Sequence, residues 1–149
     1  MLHEVTLLRL PVPLWARAQE QLDALLREFT MISLGHPEDD GVPQRLLALM
    51  AGFDARFPNV GEAPEALLRE AAANGVDEMD LVYASVTEGA DACAALLELL
   101  AEADDYCASH NEMLVLAADP EAVRFRRWFL SSFVDQIAGR PPVPWPSWA

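Results

Sequence analysis

Lysine is absent from this chain. All ten basic residues are arginines, set against twenty-four carboxylates over 149 residues, for a formal charge of −14. A surface this negative repels phosphate backbones and anionic lipid headgroups, so neither nucleic acid nor membrane is expected as a partner. The missing lysine itself, alongside abundant Ala, Arg, Leu and Glu, reads as codon bias of a GC-rich genome and carries no mechanism. Long apolar runs are lacking too. No segment reaches the ~18 uninterrupted apolar residues of a membrane span, and the opening Met1-Leu-His-Glu-Val has neither the basic start nor the small-residue cleavage site of a secretory signal. A soluble cytoplasmic protein is the expectation.

Cysteine is scarce. Cys93 and Cys107 fall in one predicted helix, about 21 Å apart along its axis by the helical rise, and cannot pair with each other. Neither has a histidine or second cysteine at metal-ligand spacing, so both read as small core residues rather than redox or zinc groups. Catalytic signatures are also missing: there is no Gly-x-Ser-x-Gly elbow, no glycine-rich phosphate loop and no His-Glu-x-x-His. The histidines, His3, His36 and His110, lie in a strand or in loops. A convergence of His110 with Asp104 or Asp105 is open but not signalled by spacing. No catalytic residue, cofactor or metal is therefore assigned, and a non-enzyme is expected over an enzyme.

What is present suits one globular domain over residues 1–139, followed by a Pro/Trp-rich tail over 140–149. The apolar fraction of 52% lies slightly above the usual globular range, which allows a real core and a buried partner surface besides. Residues 3–10 carry β-branched and apolar side chains on both faces, as an interior strand would, and end at Pro11. From Leu14 to Leu34 the residues Leu14, Ala18, Leu22, Leu25, Phe29 and Ile32 recur at helical spacing, stopped at Gly35. A second helix starts near Pro43 and ends before Pro58, and a third runs from Pro64 to Ala73, closed by Asn74-Gly75. Glu78 to Val86 reads as a strand, and Thr87 can cap the helix that extends to Ser109. Met113-Leu-Val-Leu-Ala reads as a third strand. Asp119-Pro120-Glu121 then opens a last helix reaching Gly139, striped by Ala122, Phe125, Phe129, Phe133 and Ile137. The resulting expectation is a helix-dominated α/β fold of order βαααβαβα. Its small three-stranded sheet is at least partly parallel, through a crossover spanning Glu78 to Ala117, and about five helices cover it.

Three constellations stand out. The loop His36, Glu38, Asp39, Asp40 offers one imidazole and three carboxylates, but without calcium-loop or helical His spacing it reads as solvated loop. Arg124, Arg126 and Arg127 beside Trp128 form the densest positive charge and could grip a carboxylate or phosphate, although Glu121 lies three residues before Arg124 and internal salt bridging is the plainer reading. The tail sets Trp145 and Trp148 in a stiff chain with four prolines in ten residues. Two indoles rarely stay exposed on a soluble monomer, so they either dock onto the protein's own helices or enter a groove on a partner or second subunit, and Pro13-Leu-Trp15 is a candidate receiving surface.

Asp104-Asp-Tyr-Cys, Met113-Leu-Val-Leu-Ala, Pro120-Glu-Ala-Val-Arg-Phe-Arg-Arg-Trp-Phe-Leu and Pro144-Trp-Pro, with Leu8-Arg-Leu-Pro-Val-Pro-Leu and Leu25-Leu-Arg-Glu-Phe, resemble a group of small acidic proteins of high-GC Gram-positive bacteria. That group accompanies anti-sigma-factor kinases and their antagonists, sometimes described as ATP-binding. The chain has none of the asparagine and glycine boxes of such an ATPase fold, so the resemblance implies a regulatory role with a regulator kinase or its antagonist as partner. The leading expectation is accordingly a non-enzymatic regulator acting by protein–protein contact in stress or sigma-factor signalling, through Arg124, Arg127, Trp128, Trp145 and Trp148. The alternative is a small-molecule-binding or enzymatic domain with a pocket at the C-terminal ends of the strands, near Thr87 and Ala118. A homodimer closed by the tail is the third.

Overall fold

The computed structural model describes residues 2–35, 38, 41–57, 61–109 and 119–147. Strand β1 (Leu2–Pro11) leads into helices α1 (Val12–Gly35), α2 (Val42–Arg56) and α3 (Glu62–Ala73); strand β2 (Glu78–Val86), helices α4 (Gly89–Ser109) and α5 (Pro120–Ile137) and a 3₁₀ turn at Trp145–Ser147 follow.

Local signals account for the helix ends. Pro13 sits in the first turn of α1, where a missing N–H costs nothing, and the Val12 N–H donates back to the Asp77 carbonyl at 3.0 Å. Helix α3 stops at Asn74. Gly75 takes φ +73°, and the Val76 N–H donates to the Ala71 carbonyl, a Schellman closure. Helix α5 opens on Asp119, whose carboxylate accepts from the Glu121 N–H at 3.0 Å, and closes through Gly139 at φ +95°.

The sheet departs from expectation. Its two described strands pair antiparallel, from Leu2 opposite Val86 to Pro11 opposite Glu78, although three helices separate them in sequence. No parallel crossover joins β2 to another described strand, and the expected third strand, Met113–Ala117, lies outside the described residues. The reason is visible in β2 itself. Leu81, Tyr83 and Ser85 are buried while Asp80, Val82 and Ala84 are exposed, the period-two pattern of a strand with one wet face, which antiparallel pairing allows and a doubly covered parallel strand does not.

In β1 the alternation is interrupted. Val5 and Leu7 face inward, and then the register shifts, with Leu10 opposite Met79 where Leu7 is opposite Leu81. Three steps along β1 match two along β2, so one residue is extra. Arg9 takes up the bulge at φ +54°, its N–H donating to the Asp80 carboxylate at 2.8 Å and its guanidinium 3.2 Å from Glu78. The bulge turns Leu10 inward, which is why the sequence reads as apolar on both faces.

The free side of β1 is covered by α5. Gln136 accepts from the Thr6 N–H at 2.8 Å and donates to the Thr6 carbonyl at 2.7 Å, so one side-chain amide satisfies both backbone groups of Thr6. The core joins Val5, Leu7 and Leu10 with Phe29 of α1, Leu46 of α2, Leu68 of α3, Leu100 of α4 and Trp128 of α5.

Candidate functional site

The inner face of β2 brings two hydroxyl side chains, Tyr83 and Ser85, into an otherwise apolar interior. Beside them, α5 presents Phe125, Phe129 and Phe133 from one stripe. Tyr83 meets Phe129 and Phe133 edge-on, with centroids 5.6 and 5.2 Å away. The opposite wall comes from Trp15 and Leu22 of α1 and Phe53 of α2, and Cys93 and Leu96 of α4 close the end. Between them lies a cavity of about 710 Å³, within the range of sites for drug-sized ligands.

Close approach at the α4 end depends on a glycine. A methyl group at Gly89 would stand 2.3 Å from the Ser85 Oγ, so a residue with a Cβ fits there only if the Ser85 side chain turns away.

Charge collects at the α2–α3 side, where Asp54, Glu62, Glu65 and Arg69 reach the cavity. Burial pushes the Glu65 carboxyl above its ordinary range, Arg69 opposes that shift and Asp54 adds to it. The Tyr83 phenol is pushed up as well, first by burial and then by the negative charge of Glu65. Tyr83 is only 3% exposed, and its hydroxyl finds no hydrogen-bond partner, an arrangement that leaves a buried donor unsatisfied.

Two further groups of the wall are held in unreactive states. Burial holds the Cys93 thiol up to about 12, so it stays protonated. The Ser85 hydroxyl donates to the neighbouring Val86 carbonyl at 3.1 Å.

The sequence-predicted residues fall elsewhere. Trp128 is 1% exposed and belongs to the core, its indole N–H donating to the Val143 carbonyl at 2.9 Å. Trp145 docks on the same helix, 5.6 Å from Trp128 and 5.8 Å from Phe125, with the Arg124 guanidinium 4.5 Å above its ring. The tail is thus received by α5, whereas Trp15 faces the cavity. Arg127 is exposed, and Trp148 lies outside the described residues. Of the arginine cluster, Arg126 pairs with Asp104 at 2.5 Å, and Glu121 lies 3.7 Å from Arg17.

The cavity also differs from the expected pocket. Thr87 is not in its wall but lies 3.0 Å from the His3 Nε2, and Ala118 is outside the described residues, as are His36, Asp39, Asp40 and His110. Among the described residues no cluster of His, Cys, Asp or Glu could hold a metal ion, and no helix is long and apolar enough to cross a membrane. Sequence reasoning missed Glu65, Asp54, Tyr83 and Ser85 as site residues. The available signal was the pair of hydroxyls at alternate, inward positions of β2.

In comparisons with known proteins, no family model, no curated protein and no solved structure matches the chain.

Proposed function

We propose that the protein is a binding domain for a small, largely apolar organic molecule. The observation that carries this is the aromatic cavity of about 710 Å³ with the unpartnered Tyr83 hydroxyl in its wall. A recess open to solvent on one side, with an apolar wall and a few polar groups at its edge, is the usual form of a ligand site. The test is a thermal-shift screen of small organic molecules against the wild type and Ala18→Trp, which places an indole in the cavity from α1. A ligand held at about a hundred times its dissociation constant stabilises the native state by about 2.7 kcal/mol. Saturable stabilisation of the wild type and its loss in Ala18→Trp support the reading. Absence of any stabilising compound, or equal response in the filled variant, overturns it.

The second reading is regulation through a protein partner, a regulator kinase, its antagonist or a second copy, with the C-terminal tail as the contact. It is favoured by Trp145, half-buried under Arg124 with exposed Arg127 on the same helix. Trp128, being core, contributes only by holding the tail. Trp145→Ala with Trp148→Ala abolishes partner capture and leaves the helical circular dichroism intact if the tail is the contact; loss of fold instead shows the tail to be core.

A further inference from the structure

The charges around the cavity do not balance. Asp54, Glu62 and Glu65 supply three carboxylates, against Arg69 and Arg126, and Arg126 is already neutralised by Asp104 at 2.5 Å. Among the described residues, none of the three carboxylates takes part in a salt bridge. Counting Arg69 and also Arg56, whose guanidinium lies 5.2 Å from the ring of the lining residue Phe57, one negative charge is left over at the α2–α3 side of an aromatic cavity, in a molecule whose net charge is −14. Helix α2 ends there too. Asp54 lies in its last turn, where Arg56 offsets the negative end of the helix dipole, while the positive N-terminal end of α3 is met by its own Glu62 and Glu65. Asp54 and Glu62 are exposed to solvent and Glu65 is half-buried, so an anion entering the cavity would meet repulsion from all three carboxylates, felt most at Glu65, where burial weakens screening.

Aromatic rings occupy the same side. Phe53 and Phe57 lie 5.3 Å apart next to Asp54, and Phe57 already carries the Arg56 guanidinium 5.2 Å from its centroid. Ring faces beside carboxylates form the environment that attracts an ammonium group, because the ring quadrupole and the carboxylate act in the same sense.

We propose that the cavity selects an organic cation, a molecule with an aromatic or aliphatic body and a single ammonium group. The ammonium lies toward Asp54, Glu62 and Glu65, and the body packs against Leu96, Phe125 and Phe129. Glu65, half-buried and held above its ordinary pKa by desolvation that Arg69 only partly offsets, gains most from such a ligand, whose positive charge adds to that of Arg69. The proposal rests on the ligand-binding reading above and narrows it to one chemical class.

Three probes sharing one naphthalene ring test it, the ring bearing a trimethylammoniomethyl, a hydroxymethyl or a carboxymethyl group. Dissociation constants are measured by calorimetry for the full chain and for Asp54→Asn/Glu65→Gln, with circular dichroism confirming that the variant is folded. The expected result is about tenfold tighter binding of the ammonium than of the alcohol, the weakest binding for the carboxylate, and a preference that falls to near unity in the variant. Equal binding of ammonium and alcohol by the wild type overturns the charge preference and leaves the ligand-binding reading standing. If none of the three binds, both fall. If a short peptide carrying arginine and an aromatic residue outbinds the ammonium, the proposal is overturned in favour of a peptide partner.

Discussion

Glu65 shows how a single side chain can trade stability for a site. Its proton is held more tightly in the folded chain than in the unfolded one, so folding takes up a proton between the ordinary carboxyl pKa of 4.5 and the raised value. Stability therefore falls as pH climbs through that window, and the deficit persists at neutral pH. Glu65→Gln keeps the shape and removes the charge. Its melting temperature should exceed the wild type's by ~1–3 °C at pH 7, with the difference vanishing below the ordinary carboxyl range. A melting temperature below the wild type's at pH 7 would show that Arg69 outweighs desolvation. Nothing in the residues 62–73 distinguishes Glu65 from an ordinary solvated helix acid, because its burial is a tertiary fact. Tyr83 and Ser85 were more accessible to inspection, yet β-propensity accounts for a strand tyrosine without invoking a cavity.

At the level of elements, the junction of β2 with α4 depends on a pair of small groups. In Gly89→Ala the new methyl collides with the Ser85 Oγ, which stands 2.3 Å away and is hydrogen-bonded to Val86. Relief requires rotating the serine and losing that bond, about 1 kcal/mol. Ser85→Ala removes the obstacle, since the Ser85 Cβ is at an ordinary 3.7 Å. Denaturant unfolding of both single variants and the double should thus show strong non-additivity, with the double more stable than Gly89→Ala alone; additive losses would count against this packing. The same level shows what sequence can reveal. Helix ends were legible at Pro43, Asn74-Gly75 and Asp119-Pro120, since caps are made by adjacent residues. Strand partners were not, because β1 and β2 meet across 66 intervening residues, 12–77, and the bulge falls on Arg9 rather than on a glycine that would have marked it. The crossover inferred from Glu78 to Ala117 followed chain order, whereas the one-sided burial of β2 decided the pairing.

For the whole molecule the dominant quantity is the charge of −14. Self-repulsion among surface carboxylates opposes the compact state, and salt screens it within a Debye length of about 10 Å at 0.1 M. Raising sodium chloride from ~10 mM to ~0.5 M should therefore raise the melting temperature by several degrees, read by calorimetry at pH 7. A flat or falling response would mean that the ion pairs Arg45–Glu102 and Arg126–Asp104 matter more than the overall field. The docking of Trp145 on Trp128 has a consequence of its own. Two indoles with centroids 5.6 Å apart and planes tilted by 68° have coupled transition dipoles, so the folded tail should announce itself as a split band in near-ultraviolet circular dichroism. Trp15, in the cavity wall, stands outside that pair. Among the described residues the indoles thus form two separate reporters, one sensitive to where the C-terminal segment lies and the other to what fills the cavity.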